Sequence, residues 1–133
     1  MKFLDTNIIL RYLTADDAQK AKRCEDVFKK AADGKETLYT TTLVIAEVVW
    51  VLEKIYKLSE GDIAKAIRQI LNTPHIECDE KDILLRAVGL YELKKIDFID
   101  VYNAVIMETQ GIDTLYSYDT DFDSIPSLKR IEP

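Results

Sequence analysis

Short β-like segments alternate with longer helical segments along the whole chain, and this alternation limits the possible folds more than any other feature. Strands are predicted over residues 2–4, 37–41, 76–78, 114–117 and 129–131. Helical periodicity covers 8–13, 16–32, 42–57, 59–71, 80–95 and 97–110. Because helices separate most successive strands, those strands need crossover connections. The sequence therefore predicts an α/β fold with a mostly parallel sheet of about five strands.

The size and charge of the chain limit its organisation and its partners. With 133 residues and 47% apolar side chains, it can bury the core of a single domain spanning 1–133. Eighteen basic residues stand against 24 acidic ones, which gives a net charge of −6. Such a protein has no general attraction for nucleic acid, so phosphate contacts must be local or bridged by cations. The candidates for local contacts are Arg11, Arg86, Lys94, Lys95, Lys129 and Arg130.

Cysteine and histidine usage excludes several kinds of site. Cys24 and Cys78 are far apart without a CxxC pattern, which excludes a disulfide framework and a cysteine zinc site. The single histidine, His75, excludes a histidine-rich metal site and is predicted to be structural. No signal peptide is visible, and the longest apolar stretch is short and interrupted by Glu47. We expect an intracellular, cytoplasmic protein with no membrane segment.

Glu47 lies in the most apolar of the predicted helices. Its neighbours one turn away are all apolar, namely Leu43, Val44, Trp50 and Val51, so the helix offers this residue no polar face. Burying an unpaired carboxylate is costly. Glu47 is therefore expected to be protonated, paired with a cation or bound to a metal ion, unless it reaches solvent near the helix start.

Acidic residues follow two of the predicted strands. Asp5 comes directly after the first strand and Asp119 shortly after the fourth. Ligands of open α/β sheets bind at the carboxyl ends of the strands, so both positions suit a site. Asp5, Thr6 and Asn7 can each cap the following helix, but only one is needed for that task. Two polar side chains are then left for another role.

The second half of the chain contains two further acidic groups. Asp97 and Asp100 are three residues apart at a predicted helix start, where helix capping is the simpler interpretation. Asp119, Asp121 and Asp123 alternate beyond the fourth strand. A turn needs only one of these three, and either a solvated loop or a functional site would account for the others.

Convergence of these acidic residues in one pocket would require a positive charge. Gathered carboxylates repel one another, and their pKa values rise. No Lys or Arg adjoins Asp5, Glu47 or Asp119 in the sequence. A hard divalent cation that prefers oxygen ligands, Mg²⁺ or Mn²⁺, is the expected remedy.

Four segments of the chain together resemble the motifs of the PIN domain family. They are 4–11 (LDTNIILR), 45–48 (IAEV), 97–100 (DFID) and 115–122 (LYSYDTDF). Each is weak alone, but the four occur in the family's order and cover nearly the whole chain. The length and the DTN opening are similar in particular to the VapC toxins of bacterial and archaeal toxin–antitoxin pairs.

The resemblance implies a three-layer α/β/α fold and a metal-dependent ribonuclease. Its implied catalytic and metal-binding quartet is Asp5, Glu47, Asp100 and Asp119, holding Mg²⁺ or Mn²⁺, with Asn7, Asp97, Ser117 and Asp121 in support. Ser117 stands where the family often has Thr, and it keeps the hydroxyl group. Residues 101–103 (VYN) stand where the family often shows Ala after its third acid, which is expected to narrow the pocket mouth or change the substrate fit.

The resemblance also implies a substrate and partners. The expected products carry 5′-phosphate and 3′-hydroxyl ends, and an unstacked single strand or loop of RNA suits a pocket better than a duplex. A cognate antitoxin would occupy the acidic pocket, often through an arginine, and the toxin would form a homodimer.

Two other functions are compatible with an acidic α/β domain. The first is a binding or scaffold domain that keeps the PIN fold without turnover, although the complete quartet argues against it. The second is a phosphotransfer domain with Asp5 as an aspartyl nucleophile. The common phosphatase pattern has a second Asp two residues later, where this chain has Asn7.

Overall fold

Two compact units, Met1–Lys81 and Asp82–Pro133, make up the chain in the computed structural model, which describes all of Met1–Pro133. Together they contain six α-helices, five short strands and one 3₁₀-helix. No helix is both long enough and apolar enough to cross a membrane.

The first unit contains a three-stranded parallel sheet. Its elements are β1 (Lys2–Phe3), α1 (Thr6–Thr14), α2 (Ala18–Ala32), β2 (Leu38–Thr40), α3 (Thr42–Lys54), α4 (Glu60–Leu71) and β3 (Ile76–Cys78). The strand order is β1-β2-β3, with Lys2 opposite Leu38 and Leu38 opposite Ile76. A pair of helices forms each crossover, as parallel pairing requires.

Helix starts in the first unit follow their sequence signals. Asp17, Thr41 and Ser59 stand at N-cap positions, and each side chain accepts a hydrogen bond from the backbone N–H three residues later. These bonds satisfy amides that the first helical turn leaves unpaired. Helix α3 ends at Lys54 rather than at the predicted Lys57, because Lys57 has a φ of 56° and turns the chain out of the helix.

The single histidine closes the turn that follows α2. Gly34 has a φ of 75°, and a Cβ atom there would lie 3.3 Å from His75 Cε1. The Nδ1 atom of His75 lies 2.8 Å from the carbonyl oxygen of Ala31. These contacts join the end of α2 to the start of β3 and agree with the structural role predicted for this residue.

The second unit contains α5 (Lys81–Lys94, whose first residue belongs to the first unit), α6 (Phe98–Thr109), β4 (Thr114–Tyr116), a 3₁₀-helix (Thr120–Ser124) and β5 (Lys129–Ile131). β4 and β5 are parallel, with Thr114 opposite Lys129. The rings of Tyr91 and Phe98 are both buried and meet edge to face with 5.9 Å between their centroids.

The predicted α/β class with parallel strand pairing is confirmed, but each sheet is smaller than the expected five strands. All five strands lie where the sequence predicts them and every pairing is parallel, but they form one sheet of three strands and another of two. Alternation of strands and helices predicts the number of strands and the need for crossovers. It does not specify which strand edges meet, and these strands are only two or three residues long.

Candidate active site

Asp5 lies at the carboxyl edge of the first unit's sheet. The backbone N–H of Leu4 donates to the carbonyl oxygen of Tyr39 (2.7 Å), and the buried hydroxyl of Thr40 donates to the carbonyl oxygen of Leu4 (3.0 Å). β2 therefore fixes the backbone directly before Asp5. Although Asp5 occupies the N-cap position of α1, its side chain makes no capping hydrogen bond. The exposed carboxylate is not used by the helix and can serve a ligand.

Glu47 is exposed, which corrects the expectation of a buried carboxylate. It lies on the same stripe of α3 as Leu43 and Trp50, which are 81% and 56% exposed. The opposite face of the helix, which includes Ile45 and Val48, forms the core contact. The helix thus has two apolar faces and buries only one of them. Apolar neighbours in the sequence therefore did not mean a buried position.

Thr6 connects the acidic residues of the first unit. Its side chain is almost fully buried, and its hydroxyl donates to Oε2 of Glu47 (3.1 Å). Since Thr6 adjoins Asp5 in the chain, this bond brings Glu47 beside the first strand's carboxyl end. Sequence reasoning treated Thr6 only as a possible helix cap. The surplus of polar side chains at 5–7 was the signal for a further role. Asn7 is exposed in the first turn of α1.

Basic side chains line a cavity of about 440 Å³ beside α1 and α2. Arg11 contributes from α1, and Lys20 and Arg23 contribute from α2. No carboxylate lies within ion-pairing distance of these three side chains. The nearby carboxyl of Asp17 is affected by two of them. Its pKa is lowered first by a hydrogen bond from the Lys20 amide, and further by the charges of Lys20 and Arg11. The cavity concentrates positive charge in an otherwise acidic chain.

Three acidic residues in the second unit, Asp97, Asp119 and Asp121, act on a fourth, Asp100. Asp100, in the first turn of α6, has its pKa raised to about 6, first by partial burial and then by the charges of Asp97 and Asp119. A hydrogen bond with Asp119 and the charge of Asp121 raise this pKa further. Asp97 stands at the N-cap of α6 but makes no side-chain capping bond. The capping interpretation of its carboxylate is therefore wrong, since the carboxylate acts on Asp100 instead.

The segment that follows β4 is held by hydrogen bonds. The backbone N–H of Asp119 donates to Oγ of Ser117 (3.0 Å), and Oδ1 of Asp119 accepts from the backbone N–H of Asp121 (2.9 Å). The carbonyl oxygen of Ser117 accepts from Nη1 of Arg130 (3.0 Å). One acid therefore caps the 3₁₀-helix, as a turn requires, and the Ser117 hydroxyl fixes the backbone of that acid.

Two of the arginines considered for phosphate contact are paired with carboxylates. Arg130 binds Asp123 through Nε and Nη2 at 3.0 and 3.2 Å, and it also contacts Glu132. This pairing lowers the pKa of Asp123. Asp123 therefore serves an ion pair and does not belong to the group of acids that act on Asp100. Arg86 pairs with Glu108. Among the arginines named from the sequence, Arg11 differs in facing the basic cavity.

The donor atoms in both units suit a hard divalent cation, although no metal cage is preformed. No group of three or more His, Cys, Asp or Glu side chains is arranged to hold a metal ion. Partial burial first, and then the charges of the surrounding acids, raise the pKa of Asp100. A divalent cation would relieve the part of this shift that comes from repulsion. Carboxylate oxygens are the ligands that Mg²⁺ and Mn²⁺ prefer, so the residues fit this kind of metal.

An α/β chain with acidic residues after its strands is the arrangement that the PIN motifs imply. Residues 2–128 match the PIN domain family, and the chain belongs to it. A VapC ribonuclease of Aquifex aeolicus (strain VF5) is 29% identical over 133 residues, covering all of this chain and 97% of the relative.

Two solved structures are also similar. Mycobacterium tuberculosis VapC20, a toxin that cleaves the sarcin–ricin loop, is 17% identical with a TM-score of 0.42, and the match covers 100% of both chains. Rickettsia felis VapBC2, bound to a DNA fragment from its promoter, is 19% identical with a TM-score of 0.38 and covers 98% of this chain and 97% of that one.

Proposed function

We propose that this chain is a cytoplasmic metal-dependent endoribonuclease and the toxin of a VapBC-like pair. The observation that carries the proposal is the grouping of Asp97 and Asp119 around Asp100 in a chain of the PIN family, where partial burial first and these two charges next raise the pKa of Asp100. Repelling carboxylates are costly unless they serve a cation. The full-length likeness to a VapC ribonuclease supports RNA as the substrate.

The proposed metal ligands are Asp5, Glu47, Asp100 and Asp119. When bound, Mg²⁺ or Mn²⁺ supplies Lewis acidity that activates water and neutralises charge at the reacting phosphate. The chain's own residues prepare the ligands. Thr6 orients Glu47 through its hydroxyl, and Ser117 fixes the backbone of Asp119. The supporting residues are Asn7, Asp97, Ser117 and Asp121, of which Asp97 and Asp121 add negative potential that favours cation binding.

The proposed RNA contact outside the acids is the basic cavity. Arg11, Lys20 and Arg23 supply local positive charge that no carboxylate neutralises by pairing. A few such contacts can hold a phosphate backbone although the net charge of the chain is −6. We propose that the substrate is single-stranded or looped RNA and that cleavage leaves 5′-phosphate and 3′-hydroxyl ends.

A cleavage assay tests the activity directly. Single-stranded RNA is incubated with the protein in Mg²⁺, Mn²⁺ or EDTA, and the product ends are identified by phosphatase and ligase treatment. We expect cleavage with either metal and none in EDTA, and loss of cleavage in Asp5→Asn and Asp100→Asn. Asp113→Asn is the matched control, because Asp113 is exposed and precedes β4 rather than following it.

Each failure of this assay has a defined meaning. Cleavage that persists in EDTA or in Asp5→Asn contradicts the proposed metal site. Metal binding without cleavage of any RNA indicates a binding domain that keeps the fold without turnover. A stable phosphoryl-enzyme indicates aspartyl phosphotransfer, because hydrolysis by activated water forms no such intermediate.

The proposed protein partners are a cognate antitoxin and a second copy of this chain. The antitoxin would place a basic side chain, such as arginine, among the carboxylates and block the metal site. Co-expression with the product of a small neighbouring gene that encodes a DNA-binding protein tests this: we expect a stable complex in which cleavage is abolished. Light scattering after gel filtration of the isolated chain tests the homodimer, and a monomer mass at micromolar concentration contradicts it.

A further inference from the structure

The second unit contains a cavity of about 460 Å³. Its wall includes Asp100 from the acidic group, but it also includes apolar side chains. Asp100 and Asn103 of α6, together with Ser117, supply polar groups to its lining. Most of the remaining lining is apolar, with Ile106, Met107, Leu115 and Phe122. A metal ion or a phosphate group needs no such surface. A wall that combines apolar side chains with convergent polar groups is typical of pockets that bind organic ring systems.

Tyr116 is the exposed aromatic side chain of this cavity. It is the last residue of β4, it is 74% exposed, and its hydroxyl has no partner in the protein. An exposed aromatic ring beside a catalytic centre is a surface on which a nucleobase can stack. Such stacking contributes about 5- to 150-fold in affinity per base, and it needs an unpaired base with a free face.

The charges around the cavity restrict what can occupy it. Asp100 lies in its wall, and Asp97, Asp119 and Asp121 are close enough to act on that residue. An anionic group, such as a free phosphate or an acidic side chain, is therefore disfavoured inside the cavity itself. A nucleobase is neutral, and its edge carries donors and acceptors that match the amide of Asn103.

We propose that this cavity is a nucleobase pocket for an unpaired residue of the RNA next to the cleaved phosphate, with Tyr116 as the stacking surface and Asn103 as the contact to the base edge. The inference rests on the proposed ribonuclease function and adds to it the feature that selects the nucleotide. Tyr116 and Asn103 are positioning and specificity residues, because neither is among the proposed metal ligands, of which Asp100 also lines the cavity.

Binding measurements separate this pocket from catalysis. In an Asp5→Asn background with EDTA, fluorescence anisotropy measures the affinity for a short single-stranded RNA and for an abasic ribose-phosphate strand of the same length. We expect Tyr116→Leu to weaken RNA binding at least fivefold and to leave abasic binding unchanged. Tyr116→Phe, which keeps the ring, should bind as the parent does. Tyr118→Leu is the matched control, because Tyr118 is 71% exposed but does not line the cavity.

Kinetics provide the second readout. In the active protein, Tyr116→Leu should raise KM at least fivefold with a smaller change in kcat, and Asn103→Ala should alter the relative cleavage of adenine-, cytosine- and uracil-rich RNAs. A protein that cleaves RNA but shows none of these effects overturns the pocket and leaves the ribonuclease proposal intact. If the parent protein does not cleave RNA but Tyr116→Leu still loses RNA binding selectively, the pocket is supported and the ribonuclease proposal fails.

Other outcomes also overturn the pocket. Equal losses for RNA and the abasic strand would mean that Tyr116 contacts the backbone or supports the fold. Unchanged RNA binding together with lost binding of an arginine-rich peptide would mean that the cavity receives a cationic protein segment. Failure of the parent protein to bind the RNA measurably contradicts the proposal as well.

Discussion

Replacing Asp100 with asparagine should stabilise the metal-free protein, because it removes a carboxylate that is partly buried and that its acidic neighbours repel. The asparagine amide keeps a donor for Asp119 but carries no charge. The pKa of Asp100 rises from 3.8 to about 6, and this change corresponds to about 3 kcal/mol between its two protonation states. Because the side chain is partly exposed, solvent screening reduces the expected gain to about 1 kcal/mol.

The gain should depend on pH in one direction. A carboxyl group whose pKa is raised in the folded state binds protons more tightly there than in the unfolded chain. The penalty is therefore absent below about pH 4, grows as the pH rises through 6, and is complete above about pH 7. Asp100→Asn and the parent should be equally stable at the acidic end, and the variant should be more stable at neutral pH.

Urea unfolding in EDTA at pH 4, 6 and 7.5, followed by circular dichroism, measures this difference. Asp113→Asn serves as the control and should show no gain that grows with pH. Mg²⁺ should reverse the order at neutral pH, because the parent keeps a ligand that Asp100→Asn has lost. Equal stability of parent and variant at pH 7.5, or a gain of the same size at pH 4, would refute the reasoning.

Three further predictions concern the first unit. Thr6→Val should lower the free energy of unfolding in urea by about 1 kcal/mol and slow cleavage, because the hydroxyl that orients Glu47 is lost. Thr6→Ser should restore stability and cleavage, and unchanged cleavage in Thr6→Val would contradict the orienting role. Arg11→Gln should weaken RNA binding about fivefold at 0.1 M salt and reduce the slope of log K against log salt by about 0.7. Lys29→Gln removes the same charge from an ion-paired site and should do neither. Equal effects of the two variants would mean that only net charge matters. Gly34→Ala should lower the free energy of unfolding by about 1 kcal/mol or more, because residue 34 has a φ of 75° and the added methyl would lie 3.3 Å from the imidazole ring of His75. An unchanged urea midpoint would show that the turn relaxes.

The acidic positions could be predicted from the sequence because they depend on local patterns. Asp5 and Asp119 follow strand segments, and each belongs to a group with more polar side chains than capping requires. The exposure of Glu47 could not be predicted in this way. It depends on which face of α3 meets the core, and both faces are apolar. The hydrogen bond from Thr6 to Glu47 joins residues 41 positions apart, so no local pattern predicts it.

Local sequence by itself determined the type and order of the elements, the positions of the helix caps and the acidic residues that end up after the strands, because periodicity and capping act within a few residues. Tertiary structure alone decided that the five strands divide into two sheets and that Asp119 acts on Asp100. It also decided that Tyr116 lines a cavity. These outcomes depend on contacts between segments distant in the chain, and their energies come from packing and electrostatics that no short window of residues contains.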